Sequence, residues 1–429
     1  MSLEKYLFLL FLSNIFTSQF AVAQKRDLNY YLAAAYSNNP TLKENLNQQK
    51  YTLLQNELNT IIYRKPQVFL TSDYLFAPFF FNKGHFISVT SNPENKAFGY
   101  DVALSNGGVY AAQLNFATLL FTSRIIKPYN EQAATQKNIL QNNSRQLIHD
   151  LDKTVSDQYI STYQLQQQVF YLQKIILLVN DRKKIVEALV QKALMQQNDY
   201  LLLEIEIRQR QFEIQQQKIS LINAFNLLNN ACGISDTAII ELVEPQLIQS
   251  LPLNQFNYQQ KYKLDSAYIV SQQQVFNIRY RPILTAYGNT GLNSSEAANI
   301  PHNFGVSAGL HLSIPIYDGG QQQTMEKQSR LLQENLKQFQ NQSEIQIQNN
   351  LSSLQRQIKL TQEMIILLNA QLATQETLLS LIKDKVIIGQ VSVTDYKNSL
   401  QDYALSNQNK LQAQTNLWLL INQYNYINW

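Results

Sequence analysis

The chain has 429 residues, with 35 Lys and Arg, 31 Asp and Glu, and a formal charge of +4. Charged residues make up 15% of it, against about 25% in an ordinary soluble domain, and 54 Gln and 42 Asn carry the polar surface instead. This balance supplies no basic tract for nucleic acid; the single cysteine, Cys232, excludes an intrachain disulfide or a cysteine metal cluster; and 12 Gly with 10 Pro leave few turns, so the elements must be long.

The first segment reads as a targeting signal. Lys5 opens a mostly apolar run to Phe20, and Ala21-Val22-Ala23 before Gln24 has the small-x-small form of a cleavage site, so residues 1–23 are expected to be a signal peptide. No cysteine follows the run, so lipid attachment there is not expected. Beyond residue 24 no stretch reaches about 18 consecutive apolar residues. A place in a membrane would therefore require a β-barrel rather than a spanning helix.

A first repeat is expected over 24–231. A helical stretch around 41–63 leads into a β-hairpin at about 66–121, with strands near 68–80 and 109–121 and loop signals at Asn82-Lys83-Gly84 and Asn92-Pro93-Glu94-Asn95. A long helix follows over about 129–192, then a turn and a helix over about 199–229. The segment 232–255, with Gly233, Pro245 and Pro252, reads as a linker.

The second repeat, 256–429, has the same grammar. A helix at about 256–280 precedes a hairpin at about 282–317. In its second strand Phe304, Val306, Ala308, Leu310, Leu312, Ile314 and Ile316 alternate with Gly305, Ser307, Gly309, His311 and Ser313. That period of two gives one apolar face and one small or polar face. From Gln321 to Ile387 there is no Pro or Gly, and one heptad phase holds throughout. Leu351, Ile358, Ile365, Leu372, Leu379 and Val386 occupy one seam position; Leu354, Thr361, Leu368, Gln375 and Ile382 occupy the other. Constant phase over five heptads predicts a coiled-coil rod, about 100 Å long at about 1.5 Å per residue. A last helix is expected over about 395–426. Three landmarks tie the copies together: Pro66 with Pro282, Phe121 with Tyr317, and Asp199-Tyr200 with Asp395-Tyr396. The last two share an offset of 196 residues, which makes a tandem duplication the simplest account.

Four strands per chain cannot close a membrane barrel, for which about eight is the minimum. An open sheet would expose its edges. Association removes them, and three copies would give twelve strands and a water-filled interior. Other chemistry is not suggested. His85, His149, His302 and His311 lack ligand spacing. Gly107-Gly108 and Gly319-Gly320 sit in no phosphate loop, and no nucleophile elbow appears. Neither an enzyme nor a cofactor is expected.

The stretch from Tyr30 to Pro40 with its Ala-x-x-x-Asn-Pro, the strand end Ile314-Pro315-Ile316-Tyr317-Asp318-Gly319-Gly320, and the turn Ile388-Gly389-Gln390-Val391-Ser392-Val393-Thr394-Asp395, in this order and repeated, resemble the TolC-like outer-membrane efflux proteins. The resemblance covers nearly the whole mature chain. It implies a mainly α fold with a membrane β-hairpin region: a long coiled-coil α-helical barrel plus a trimeric twelve-stranded β-barrel, four strands per chain, built from two tandem structural repeats. It implies an outer-membrane exit duct of a tripartite export system, a homotrimer that docks on a periplasmic adaptor and an inner-membrane pump and is bathed by outer-membrane lipid. The alternatives are an exit duct for type I protein secretion, or an exported coiled-coil rod without transport. The adaptor-docking tips would be Lys192, Ala193, Leu194 and Met195 together with Ile388, Gly389, Gln390 and Val391. A carboxylate constriction would draw on Glu376 and Asp384. Val306, Leu310, Leu312 and Ile314 would face lipid. Two positions depart from the pattern: Ala193 stands where the second turn has Gly389, and Phe121-Thr122-Ser123-Arg124 lacks the Asp-Gly-Gly of the second hairpin end.

Overall fold

The computed structural model describes residues 25–90, 92–99, 110–253, 257–294 and 297–429. The expected signal peptide, Gly107-Gly108 and part of the linker lie outside the described residues. The chain packs as two compact units, each assembled from separate segments of both expected repeats. One comprises residues up to Glu44, Ser144–Asn257 and Gln342–Trp429; the other comprises Asn45–Asn143 and Tyr258–Asn341.

In chain order the helices are α1 (Leu28–Asn38), α2 (Pro40–Arg64), α3 (Ser123–Gln191), α4 (Gln197–Cys232), α5 (Tyr258–Phe276), α6 (Gln321–Ile387) and α7 (Val393–Ile427). The strands are β1 (Gln67–Tyr74), β2 (Phe79–Asn82), β3 (His85–Ser88), β4 (Tyr110–Leu120), β5 (Ile283–Ser294) and β6 (Phe304–Ser313). Helix α6 keeps the bounds expected from the Pro- and Gly-free run. Helix α3 starts earlier than expected: Pro128, its sixth residue, leaves Arg124 O without its intrahelical donor, and Arg281 Nη1 donates to that oxygen instead.

The unit holding the sheet is built on strand order β1-β4-β5-β6, antiparallel throughout. Each hairpin pairs within its own repeat, and β4 with β5 joins the two. The strand expected over 68–80 ends at Tyr74, since Pro78 cannot donate to a ladder. Beyond it β2 and β3 form a separate two-stranded hairpin.

Among the described residues, the helical unit has three buried clusters. Tyr31, Val155, Tyr159, Phe225, Leu228, Cys232 and Trp418 lie in the first. Ile175, Val179, Val186, Leu203, Val386, Val393, Tyr396 and Leu400 form the second. Leu354, Ile358, Ile421 and Tyr424 form the third. Cys232 is fully buried, which pushes its thiol up to about 12. On α6 the expected seam is the line that packs: Leu354, Ile358, Thr361, Leu372 and Val386 are buried, and the other seam positions half-buried.

The Asn-Asn-Pro motif has a local explanation. Asn39 Oδ1 accepts from Leu42 N at 3.0 Å, capping α2, and Pro40 fills the first helical position, where its missing N–H costs nothing. Asn38 Nδ2 donates to the carbonyls of Cys232 and Gly233, both at 3.1 Å. Gly233 closes α4 in the left-handed region, and any Cβ there would lie 2.7 Å from Asn38 Cβ, so two constraints demand glycine.

The linker runs extended with little strand pairing, a parallel bridge between Arg26 and Leu242 aside. Amide side chains serve its backbone instead. Gln166 donates to Ile240 O at 2.9 Å and accepts from Leu242 N at 2.9 Å. Asn425 donates to Ile248 O and accepts from Ser250 N, at 2.8 and 2.7 Å. Asn428 donates to Leu251 O and accepts from Leu253 N, at 2.6 and 3.0 Å. Each amide bridges residues i and i+2, so these backbone groups are satisfied without a strand.

Candidate conduit surfaces: sheet faces and tip turns

The register sorts the sheet into two faces. Directly opposed residues share a face. Leu312, Leu284 and Leu120 align in one row; Leu310, Ala286 and Thr118 in the next; Ala308, Gly288, Phe116 and Val68 in the next; Val306, Thr290, Leu114 and Leu70 beyond. The opposite face carries Ser307, Asn289, Asn115 and Phe69 in one row, and Gly291, Gln113 and Thr71 among the others. Hydrogen bonds lace this polar face: Ser307 Oγ to Asn289 Oδ1 at 2.8 Å, and Asn115 Nδ2 to Thr71 Oγ1 at 2.7 Å. The Tyr287 ring covers Gly309, where a Cβ would meet its hydroxyl at 2.5 Å. Thus Val306, Leu310 and Leu312 lie on one apolar face that crosses all four strands, exposed in the single chain. Ile314 is exposed too, one residue past the end of β6.

The hairpin ends turn into their helices by different chemistry. After β6, Asp318 Oδ1 accepts from Gly320 N and Oδ2 from Gln322 N, both at 2.8 Å. These backbone donors, Gln322 first, hold the Asp318 carboxyl below the usual carboxylate range. Gly319 and Gly320 both take positive φ. After β4 the left-handed residue is Phe121, φ 58°, and Thr122 O accepts from Ile125 N and Ile126 N.

The tip turns, by contrast, are the same turn twice. Ala193 N donates to Val190 O and Leu194 N to Leu189 O, both at 2.9 Å. Gly389 N donates to Val386 O at 3.2 Å and Gln390 N to Lys385 O at 2.9 Å. Each partner pair is displaced by 196 residues, and both are Schellman closures. Ala193 adopts φ 57° where Gly389 adopts 74°. Lacking glycine, the first tip keeps the turn and carries the left-handed penalty of a Cβ, about 1 kcal/mol. Ala193→Gly is therefore expected to slow hydrogen exchange of amides 189–196 about fivefold, the equivalent of about 1 kcal/mol. Unchanged exchange would mean the alanine is unstrained. The next helices are capped at the same two positions by bonds of opposite sense. Asp395 N donates to Ser392 Oγ at 3.0 Å, and Gln196 N donates to Asp199 Oδ2 at 3.3 Å.

Most tip residues are open to solvent. Lys192, Ala193, Leu194, Ile388, Gly389 and Gln390 are exposed, and Met195 and Val391 half-buried. Behind them, consecutive cations on α3 hold the two equivalent tyrosines. Arg182 Cζ lies 5.3 Å from the Tyr396 ring centroid, and Lys183 Nζ 5.3 Å from that of Tyr200. Lys183 also pairs with Glu204 at 2.5 Å and, with Arg208, holds that carboxyl below its ordinary range. Arg182 is 2% exposed. Sequence reasoning did not find this pair of contacts, although the repeated Asp-Tyr was its signal. Glu376 and Asp384 are both exposed on α6, off its buried seam.

A second heptad stripe on α6 has no cover in the single chain. Leu360, Met364, Leu367, Leu378 and Leu381 are exposed, as are Leu201, Ile205, Phe212, Ile219 and Ile222 on α4. An 18-residue window of α6 reaches a mean hydropathy of 1.3, enough by length and composition to cross a bilayer. The rest of its circumference carries polar side chains such as Asn369, Glu376 and Thr377, which suits helix–helix contact better than lipid.

No family model and no curated protein matches the chain. Solved structures do. The outer-membrane channel OprN superposes with a TM-score of 0.69 at 13% identity, covering 94% of this chain and 89% of that one. The outer membrane protein VceC from Vibrio cholerae gives 0.68 at 13%, covering 94% and 96%. CusC, described with its transmembrane channel formation, gives 0.68 at 13%, covering 95% and 96%. At such identity the likeness shows the fold, which is that of the TolC-like outer-membrane channels.

Proposed function

We propose that the chain is the outer-membrane exit duct of an export system. The observation that carries this reading is the sheet: an apolar face continuous across four strands, a polar face laced by amides and hydroxyls, and two free edges, β1 and β6. Strands β4 to β6 have 10 to 12 residues, the length of a tilted membrane strand. Strand directions alternate from β1 to β6, so β6 of one copy can meet β1 of the next antiparallel, and three copies close twelve strands. The apolar face then meets outer-membrane lipid and the polar face lines water. The uncovered stripes on α4 and α6 supply the contacts between copies.

On this reading the two tandem repeats each provide one hairpin and one long helix. The long helices form a tunnel across the periplasm, and the two tip turns, Lys192 to Met195 and Ile388 to Val391, receive the periplasmic adaptor that links the duct to its inner-membrane pump. Glu376 and Asp384 are the constriction candidates: both are exposed, and off the intrachain seam they are free to face the bore. The amide-rich surface suits a bore that must stay wet without binding ions.

The test is mass and conductance. Native mass measurement in detergent is expected to give three copies, and the same material in planar bilayers to form a water-filled pore. A monomer without conductance would overturn the proposal.

A further inference from the structure

We infer that the aromatic knob formed by residues 75–99, between β1 and β4, is a membrane anchor that seats in the headgroup–acyl boundary at the far rim of the barrel. The inference rests on the barrel reading above.

The knob is a built element. Strands β2 and β3 pair Phe79 with Ser88, Phe80 with Ile87 and Asn82 with His85. Lys83 and Gly84, both at positive φ, make the two-residue turn. Asn82 is 3% exposed; its Oδ1 accepts from Glu94 N at 2.8 Å and its Nδ2 donates to Ser88 Oγ at 2.7 Å. Phe80 and Phe98 exchange both backbone hydrogen bonds, at 2.7 and 3.1 Å. Phe79 is buried with Ala77 against Ala97, and a Cβ at Gly99 would lie 2.6 Å from its ring. The inner side is therefore filled by one phenylalanine.

The outer side is apolar. Phe76, Phe80, Phe81, Phe86, Ile87 and Phe98 are all exposed, Phe98 to 72%. They hold one another: Phe86 meets Phe80 at 6.1 Å and Phe81 at 5.2 Å, both edge to face. Consecutive strand residues normally point to opposite faces. Phe81 breaks this rule with φ 59°, an outlying conformation for a bulky side chain, and so joins Phe80 on Phe86. A strained backbone that gathers phenylalanines on the outside of a closed knob makes no sense in water.

Two features identify the occupant as lipid. The knob continues the apolar face: it begins one residue after exposed Tyr74, at the sheet end where Phe304 is also exposed, which is where membrane barrels carry an aromatic girdle. Its charges also fit an anionic surface. Lys83 sits at the turn and Lys96 on the return segment, both exposed, while the lone carboxylate of residues 75–99, Glu94, turns its Oε2 to the Lys83 backbone N–H.

Spin labels in the assembled protein test the anchor. In a Cys232→Ala background, Phe81→Cys and Phe86→Cys are labelled after reconstitution into liposomes of zwitterionic and anionic phospholipid. Leu310→Cys and Ser307→Cys report the apolar and polar faces of the sheet. The expected result is oxygen access several-fold above nickel-chelate access at 81 and 86, as at 310, with 307 reversed. Should Phe81→Cys relax the turn, Phe76→Cys reads the same boundary outside the hairpin. If 310 reports lipid while 76, 81 and 86 report water, or report neither reagent because protein covers them, the anchor is wrong and the barrel stands. If 310 reports water, the barrel reading falls and the anchor with it.

Discussion

Leu310→Lys is expected to remove most assembled trimer from the membrane, while Ser307→Lys leaves its amount unchanged. The two residues lie three apart on β6, on opposite faces. Leu310 pairs with Ala286 and shares its row with Thr118, two residues in from the Leu312–Leu284–Leu120 row of the sheet. A lysine on the lipid face costs up to about 2–4 kcal/mol per chain, less away from the midplane, and a symmetric trimer carries that cost three times. At about 1.4 kcal/mol per tenfold, about 1 kcal/mol in each of three copies already shifts assembly about a hundredfold. Ser307 sits on the polar face and gives up one hydrogen bond to Asn289, worth about 1 kcal/mol. A lysine ammonium there can donate to the same Asn289 oxygen. Quantifying heat-resistant trimer on semi-native gels decides the matter. Equal tolerance of both substitutions would mean the sheet never meets lipid.

Gly389→Pro is expected to keep trimer and membrane insertion and to abolish export. Gly389 needs φ 74° and donates to Val386 O; proline fixes φ near −65° and has no N–H. The loss is about 3 kcal/mol or more at the join of α6 and α7. Val386, Val393 and Tyr396 pack together around this turn, and displacing the start of α7 draws Tyr396 away from buried Arg182. The sheet belongs to the other compact unit, so its strand pairing is spared, and the stripes on α4 and α6 lie away from the turn itself. Gly389→Ala is the control. Ala193 already makes the same turn with a Cβ, so that variant should lose only about 1 kcal/mol and export normally. Efflux or secretion by cells carrying the system is the readout, and export by the proline variant would exclude the turn from docking.

The long elements were legible because their signals are long. A Pro- and Gly-free run fixes both ends of α6, and its seam residues need only a partner helix to become buried. The alternation in β6 predicted its faces for the same reason. Shorter features were decided elsewhere. The missing glycine at Ala193 left the shape of the first turn open in the sequence; the Schellman hydrogen bonds and the second cluster around it outweigh a strain of about 1 kcal/mol. The run from Val68 to Phe80 reads as one strand until Pro78 and the buried Asn82 divide it, and Asn82 acts through Glu94, twelve residues away. Of the candidate site, the tip turns and the apolar face could be named from repeats and period. The Arg182 and Lys183 contacts could not, since they depend on how α3 packs against two other helices.

The amides that fasten the linker give the join a chemical lifetime. Gln166, Asn425 and Asn428 each use both ends of the side chain, one to donate and one to accept. Salt does not screen such bonds and pH does not titrate them, so the join is indifferent to the acidity and ionic strength outside the cell. Hydrolysis of the amide is another matter, and asparagine is a thermolabile residue. Once Asn428 becomes a carboxylate, the oxygen that replaces Nδ2 faces Leu251 O, which was 2.6 Å from its donor, and attraction turns to repulsion. A fastening immune to its surroundings thus ages from within, and the oldest copies are the ones whose linker loosens first.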